Sequence, residues 1–338
     1  MDFYHGISCD VQQLIHLVSA PMYSKICMTA IEMDIFTFLA QPQSASVLAE
    51  KQNWHIGNTE LFLDAVTSLG ILAKEQGVYC NMPVADKHLV RGKPDFIGDY
   101  VVEFYRASRY DDADLADMVR NGPEHQTPVT MTNVSFTEMA EMMRRMQAGG
   151  RSTEGVDILC SLPEYKDAEK ILDLGCGTGM IGIAAVQAHP TMTGILYDVP
   201  AMGEAVWESI RLQNAKDRVQ FMAGNYLTDD IGAGYDIVLA VGTLNFAKPN
   251  LVPLMKKIHN ALNEGGIVVC ISDGVYDEGT KPKEILAGWL VSGLQGMDYR
   301  MPRGLIADAA QKAGFRSIQS HVDVATYMGT MDIDILHK

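Results

Sequence analysis

The segment Ile171-Leu172-Asp173-Leu174-Gly175-Cys176-Gly177-Thr178-Gly179 constrains the fold of this chain more than any other. A short apolar run reaches an acid, turns through three alternating glycines and enters an apolar helix near Met180. Glycine reaches backbone conformations closed to other residues, and its missing side chain lets a ligand approach the main chain. A second acid, Asp198, ends another apolar run, Gly194-Ile195-Leu196-Tyr197. From Lys170 onward strand and helix patterns alternate. Strands are predicted at 170–174, 193–197, 218–222, 235–240 and 266–271, with helices at 180–188, 201–213, 251–262, 283–294 and 303–313. The tail adds two further strand patterns, Ser317–Val324 and Met331–Leu336.

Such alternation predicts an α/β fold: a Rossmann-like, mostly parallel seven-stranded sheet covered on both faces, binding ligands at the carboxyl ends of its strands. The 338 residues exceed what one core usually organises. Upstream, Val11–Ala40 has helical periodicity. Leu14, Ile15, Leu17 and Val18 form one apolar face, and Ile26, Ala30, Met33 and Phe36 form another after Pro21. With little charge and little else upstream to pack on, these faces are expected to be buried on a partner subunit. Residues 44–90 read as helix, turn, helix and hairpin. Ser44 is placed as cap of a 47–52 helix, Asn58 as cap of a 60–69 helix, and Gln76-Gly77 as the turn. That order is a winged helix. Its second helix carries Glu60 and Asp64 but no lysine or arginine, the wrong equipment for a major groove. The expected division is 1–95 as an N-terminal helical and winged-helix dimerisation domain, 96–160 as a helical linker and substrate-pocket region, and 161–338 as the ligand-binding domain.

A formal net charge of −15 argues against a nucleic-acid partner. No continuous apolar run approaches the roughly 20 residues that span a bilayer, so no membrane partner is expected. The N-terminus lacks the basic-then-apolar order of a secretion signal, which gives a cytoplasmic expectation. Six cysteines at scattered positions show no metal-ligand spacing, and no metal is predicted. Asp111, Asp112, Asp114 and Asp117 are read as a solvated helix start.

At the glycines, the placement of strand before, helix after and Asp198 at the next strand end predicts a nucleoside site, with the Asp198 carboxylate on ribose hydroxyls. Dinucleotide sites use Gly-x-Gly-x-x-Gly. Here the spacing is Gly-x-Gly-x-Gly, with Asp173 just before the turn. A fixed negative charge suits a cation better than a pyrophosphate. S-adenosylmethionine, with an ammonium and a sulfonium, is therefore favoured over NAD as cofactor.

Asp173–Gly179, Asp198-Val199-Pro200, Gly224-Asn225-Tyr226 and Leu262–Gly266 resemble the successive motifs of class I S-adenosylmethionine-dependent methyltransferases. With Ala45–Leu72 and the Val78–Leu89 wing region, the chain resembles the plant and hydroxyindole O-methyltransferases over nearly its whole length. The resemblance implies a homodimer formed through the N-terminal domain, a small-molecule acceptor and oxygen as the default acceptor atom. It implies that Asp173 and Gly175 hold the methionyl end and Asp198 the ribose, with Gly177 and Gly179 also in the cofactor site and Asn225 and Tyr226 by the adenosine. The family usually has Gly-Asp where this chain has Gly224-Asn225, and a core aromatic competes with adenine packing for Tyr226.

The larger departure follows the next strand. Where the family has Leu-His-Asp-Trp, with histidine as general base, this chain has Leu244-Asn245-Phe246-Ala247. An amide takes up no proton near neutrality, while an imidazole does. Asn245 is expected to orient the acceptor, and Asp273, where the family commonly has an acid, to stand beside it. Other base candidates are His5, His125, Tyr105 and Tyr299. Phe136, Met139, Met143 and Phe246 are the expected wall of an apolar or aromatic acceptor, with Trp289 and Met297 behind them, and each has a plain core reading beside it. Arg144 and Arg145 are read as surface ion pairs. Without the histidine, an S-adenosylmethionine-binding regulatory or scaffold protein lacking methyl transfer is the alternative.

Overall fold

The computed structural model describes residues 10–107, 112–123, 136–147 and 150–338. The chain divides into two compact units, residues 1–109 and 110–338.

The first unit opens with α1 (Asp10–Glu32) and α2 (Ile35–Phe38). Pro21 lies inside α1, which runs through it without a break. Proline removes the bond to the carbonyl four residues back. That carbonyl belongs to Leu17, a residue 64% exposed, so water reaches the freed group and the helix continues. The helix window Val11–Glu32 has a mean hydropathy of 1.3 and is only 17% buried. By length and composition it suffices to cross a membrane, which a search for continuous apolar runs did not bring out. Gln12, Gln13, His16, Ser19 and Ser24 interrupt the run without adding charge, and Lys25 and Glu32 are its charged residues. An apolar helix left this bare equally matches one half of a subunit interface.

A short strand β1 (Gln43–Ser44) leads into α3 (Ala45–Gln52), where the Ser44 hydroxyl accepts the Val47 N–H at 3.4 Å. The next helix, α4 (Ile56–Ser68), starts earlier than expected. His55, not Asn58, caps it, and its Nδ1 accepts the Asn58 N–H at 3.1 Å. Strands β2 (Leu72–Glu75) and β3 (Val78–Asn81) form the hairpin, with Gln76 and Gly77 both at positive φ, as a two-residue turn between twisted strands requires. The sheet order is β1-β3-β2. Asp64 on α4 accepts Lys74 Nζ at 2.7 Å and the Tyr79 hydroxyl at 2.7 Å, so this acid ties the helix to the wing. Helices α5 (Pro83–His88) and α6 (Gly98–Ala107) complete the unit. Ile35, Phe36, Leu48, Leu63, Val66 and Tyr79 are fully enclosed in its core, each contributing about 1.5–3 kcal/mol by burial.

The second unit begins with α7 (Asp112–Asn121), α8 (Phe136–Gln147) and α9 (Gly150–Cys160). Then come β4 (Lys170–Leu174), α10 (Met180–Ala188), β5 (Thr193–Asp198), α11 (Gly203–Leu212), β6 (Val219–Ala223), β7 (Tyr235–Val241), α12 (Leu251–Ala261) and β8 (Leu262–Ser272). Last are α13 (Lys283–Leu294), α14 (Leu305–Ala313), β9 (Ser317–Thr326) and β10 (Gly329–His337). The strands form one seven-stranded sheet, β6-β5-β4-β7-β8-β10-β9, parallel except for β10, which runs antiparallel to β8 and β9. Alternation along the strands makes two cores. Ile171, Ile237, Leu239, Ile267 and Val269 face one way with α10 and α11; Leu172, Leu174, Val238, Val268 and Cys270 face the other with α12 and α14. The chain leaves β4 in one direction to β5 and later returns on its other side as β7. Ligands enter such sheets at this reversal, beyond the carboxyl ends of the strands.

Candidate active site

Gly175, Gly177 and Gly179, between β4 and α10, all lie at positive φ, at 69°, 60° and 78°. A Cβ on Gly175 would collide with Thr243 Oγ1, and one on Gly177 would displace the tip of Met143, whose Cε would stand 2.6 Å away. The turn is fixed from the neighbouring strand. The N–H groups of Gly175 and Cys176 donate to the Tyr197 carbonyl at 2.8 and 3.0 Å. One residue on, Asp198 Oδ2 accepts the Gly177 N–H at 2.7 Å, while Oδ1 accepts the Val199 N–H at 2.7 Å. A carboxylate has about four acceptor positions. Asp198 therefore keeps one on each oxygen, the complement of a pair of ribose hydroxyls. Burial pushes its carboxyl pKa up, against the lowering effect of the Gly177 and Val199 bonds.

Asp173 is one turn deeper. Strand parity points it toward α10, and it is buried there with Oδ2 accepting the Gly182 N–H at 3.0 Å. A Cβ at Gly182 would sit 2.6 Å from that oxygen, so the helix approaches the acid only because residue 182 is glycine. Burial pushes the Asp173 carboxyl up to about 7; the Gly182 bond lowers it, Asp198 raises it and Arg151 lowers it. The acid expected to touch a cation thus lies beneath the turn, where it acts through the field rather than as a first contact.

Helix α8 supplies a roof that sequence reasoning did not find. Gln147 is buried; its Oε1 accepts the Thr178 hydroxyl at 2.5 Å, and Nε2 reaches the Cys176 carbonyl at 3.5 Å. Met143, expected on the acceptor wall, comes down beside it over Gly177. Phe136 and Met139 fall on α8, but their side chains lie outside the described residues, as do His5 and His125. Arg144 pairs with Glu141 and, at 3.0 Å, with Glu208, and Arg145 pairs with Glu141, as surface ion pairs should.

After β6, Asn225 closes a tight turn: its side-chain oxygen accepts the Leu227 N–H at 3.0 Å and its backbone N–H donates to Asp229 at 2.9 Å. Lys257 staples this turn by donating to the carbonyls of Tyr226, Leu227 and Asp229. The Tyr226 hydroxyl donates to the Thr243 carbonyl at 3.0 Å and accepts from Thr243 Oγ1 at 3.1 Å. Tyr226 is thereby fixed against the same threonine that crowds Gly175.

Asn245 lies in the 3-10 turn Leu244–Asn250 after β7 and is 1% exposed. Its Nδ2 donates to Asp273 Oδ2 at 2.6 Å and to the Tyr299 carbonyl at 2.8 Å. Its Oδ1 is buried and has no hydrogen-bond partner among the described residues. An orphaned buried acceptor costs about 1–3 kcal/mol. The amide cannot be turned over to relieve this, because its oxygen would then face a carboxylate. Asp273 Oδ2 accepts from Asn245, from Trp289 Nε1 at 2.9 Å and from the Met301 N–H at 3.3 Å. Burial pushes the Asp273 carboxyl up, and the Met301, Trp289 and Asn245 bonds pull it down. Around the pair, Phe246, Trp289 and Tyr299 meet edge to face, with centroids 4.8–6.3 Å apart. Phe246 is half exposed, and α13, although mostly apolar, buries none of its residues completely. His189 and His259 are structural: His189 Nδ1 accepts the Met192 N–H at 3.0 Å and His259 packs edge-on against Phe315. Tyr105 belongs to the N-terminal core. Among the described residues no cluster of metal-ligating side chains occurs.

The O-methyltransferase domain family matches residues 113–315, and the O-methyltransferase dimerisation domain matches residues 15–91. The chain is 27% identical over 301 residues to the tetracenomycin polyketide synthesis 8-O-methyl transferase TcmO of Streptomyces glaucescens, covering 85% of this chain and 86% of that protein. It is 24% identical over 322 residues to the N,N-dimethyltransferase OxyT of Streptomyces rimosus, covering 94% and 90%. The structure of human N-acetylserotonin methyltransferase in complex with S-adenosylmethionine superposes with a TM-score of 0.73 at 18% identity, over 100% of this chain and 99% of that one, a likeness of fold.

Proposed function

The chain belongs to the class I S-adenosylmethionine-dependent O-methyltransferases with an N-terminal dimerisation domain, and from that premise we propose how its own residues divide the work. The reaction is methyl transfer to a small acceptor with S-adenosylmethionine as methyl donor. The donor set at the glycine turn suits that molecule: backbone bent clear of side chains, a carboxylate with spare acceptor positions for a ribose, and a buried acid whose field favours a cation. When bound, it supplies a methyl group on a positively charged sulfur. Gly175–Gly179 and Asp198 hold it, Asn225 and Tyr226 flank the adenosine, Gln147 and Met143 cover the turn, and Asp173 contributes negative potential from below.

The acceptor's apolar body lies against Phe246, Trp289 and Tyr299, and its reacting group is oriented by Asn245 and Asp273. Among the described residues no imidazole stands there, and the pair works by positioning and by the Asp273 charge. Alignment of the reacting atoms is worth up to about 7–11 kcal/mol in well-oriented systems. The relatives' names span O-methyl and N,N-dimethyl transfer, so both acceptor atoms fall within this set. The bare apolar face of α1 supports a homodimer formed through the N-terminal unit.

The observation that carries the reading is Asp198, pinned over the glycine turn with one acceptor position left on each oxygen. Its test is incubation with labelled S-adenosylmethionine and a metabolite extract, following transferred label and S-adenosylhomocysteine. Calorimetry showing no affinity for either adenosyl compound would refute it.

A further inference from the structure

The acceptor end, as assigned above, has an unusual hydrogen-bond inventory. Both N–H groups of the Asn245 amide are spent, one on Asp273 and one on the Tyr299 carbonyl. The Trp289 indole N–H and the Met301 N–H are spent on Asp273 Oδ2. The Tyr299 hydroxyl reaches Met297 Sδ at 3.4 Å, and Lys248 is bonded to the Arg300 carbonyl and to Asp298, each at 3.1 Å. What remains on the pair is two oxygens: Asn245 Oδ1, buried without a donor, and Asp273 Oδ1, since the Asn245, Trp289 and Met301 bonds all go to Oδ2. Among the described residues no cation forms an ion pair with Asp273. Among the described residues the Asn245–Asp273 pair thus presents two free acceptors and no free donor of its own, with the Lys248 charge acting on Asp273 from a distance and three aromatic rings around it, and it selects a group that brings more than one hydrogen.

We propose that the acceptor is an amine on an apolar, ring-bearing body, its N–H groups directed at Asn245 Oδ1 and Asp273 Oδ1. This rests on the assignment of this end to the acceptor. A hydroxyl has one hydrogen and leaves one of the two oxygens unpaired; a phenolate would set a second negative charge beside Asp273. A neutral amine needs no base before it attacks. Its nitrogen lone pair forms the N–C bond as the S–C bond of S-adenosylmethionine breaks, leaving S-adenosylhomocysteine, and the surplus ammonium proton passes to Asp273 Oδ1. The ring edges and faces of Phe246, Trp289 and Tyr299 tolerate that passing cation. An imidazole at position 245, once protonated, would oppose it, and the amide of Asn245 does not.

The test uses the full chain saturated with S-adenosylhomocysteine, titrated calorimetrically with matched pairs: benzylamine against benzyl alcohol, and aniline against phenol. At least one amine is expected to bind tenfold or more tightly than its hydroxyl partner. Equal or tighter binding of both hydroxyl partners, or no binding of either amine, overturns the proposal. In Asp273→Asn the amide oxygen keeps the three donors and its NH2 takes the outward position, so the amine preference should fall below twofold; an unchanged preference also overturns it. S-adenosylhomocysteine binding reports folding of both proteins. Its absence from the unaltered chain would sink the function itself, and this inference with it.

Discussion

The two ends of the candidate site, one assigned above to the cofactor and one to the acceptor, are both built on buried carboxylates, yet they are assembled in opposite ways. At the cofactor end, Asp173 and Asp198 are held by backbone N–H groups at Gly177, Gly182 and Val199, all within ten residues of the acid or one strand away. At the acceptor end, Asp273 is held chiefly by side chains, Asn245 and Trp289, that come from an earlier turn and a later helix. Backbone donors survive almost any substitution around them, whereas side-chain donors vanish with one. The first end is built to stay the same while the second is free to change its acceptor.

The comparison breaks most readily at Gly175. Gly175→Ala combines a left-handed backbone with a collision at Thr243, together about 4 kcal/mol, and should cut S-adenosylmethionine affinity about 1,000-fold or unfold the unit. Denaturant unfolding and calorimetry separate the two results. Asp198→Ala should weaken cofactor binding about 100-fold, about 2.7 kcal/mol, because it removes charge-assisted bonds. It should leave the benzylamine-to-benzyl-alcohol ratio untouched; a collapse of that ratio would mean that the two ends are not separable.

The third expectation concerns pH. The Asp173 carboxyl is raised to about 7 in the folded chain, so it holds a proton there that the unfolded chain has already released. The stability due to its neutral form is present at low pH and lost as pH rises through about 7. A bound cation favours the ionised form and releases that proton, so S-adenosylmethionine affinity should rise about tenfold between pH 6 and 8 and then level off. In Asp173→Asn the slope should be absent, as read by titration calorimetry in two buffers of different ionisation heat. The smallest expected effect lies at the other end. Trp289→Phe removes one of three donors to Asp273, about 1 kcal/mol, and should lower methyl transfer about fivefold with cofactor affinity unchanged. A loss of cofactor affinity there would contradict the division of labour.

This asymmetry also decided what could be read from the sequence. Strands and helices of the second unit fall close to their expected limits, because each is fixed by its own apolar period and its own glycines. The turn at Gly175–Gly179 is legible for the same reason: strand, acid, glycines and helix are contiguous. Asn58 misled because His55 offers a ring nitrogen in place of the usual short cap. Met143 was placed on a pocket wall by its helical spacing and its position before the nucleotide-binding half, and the structure sets it over Gly177. Gln147 gave no signal, since a glutamine becomes a roof only once α8 crosses the glycine turn. Asn245 and Asp273 were each visible singly. Their bond, and the bonds that Trp289, Tyr299 and Met301 add to it, exist only after chain segments 28 and 54 residues apart are brought together.

The strand order has a consequence for how the catalytic unit comes into being. Gly329–His337 lies between β8 and β9, although it is made after both. During synthesis the outer edge of β8 has no partner until those residues emerge, and β9 has nothing to dock on. An unpaired edge is open to pairing with another chain. The hazard for a nascent or C-terminally trimmed molecule is therefore association through β8, and final closure of this sheet waits for the last strand to thread into a slot already flanked on both sides.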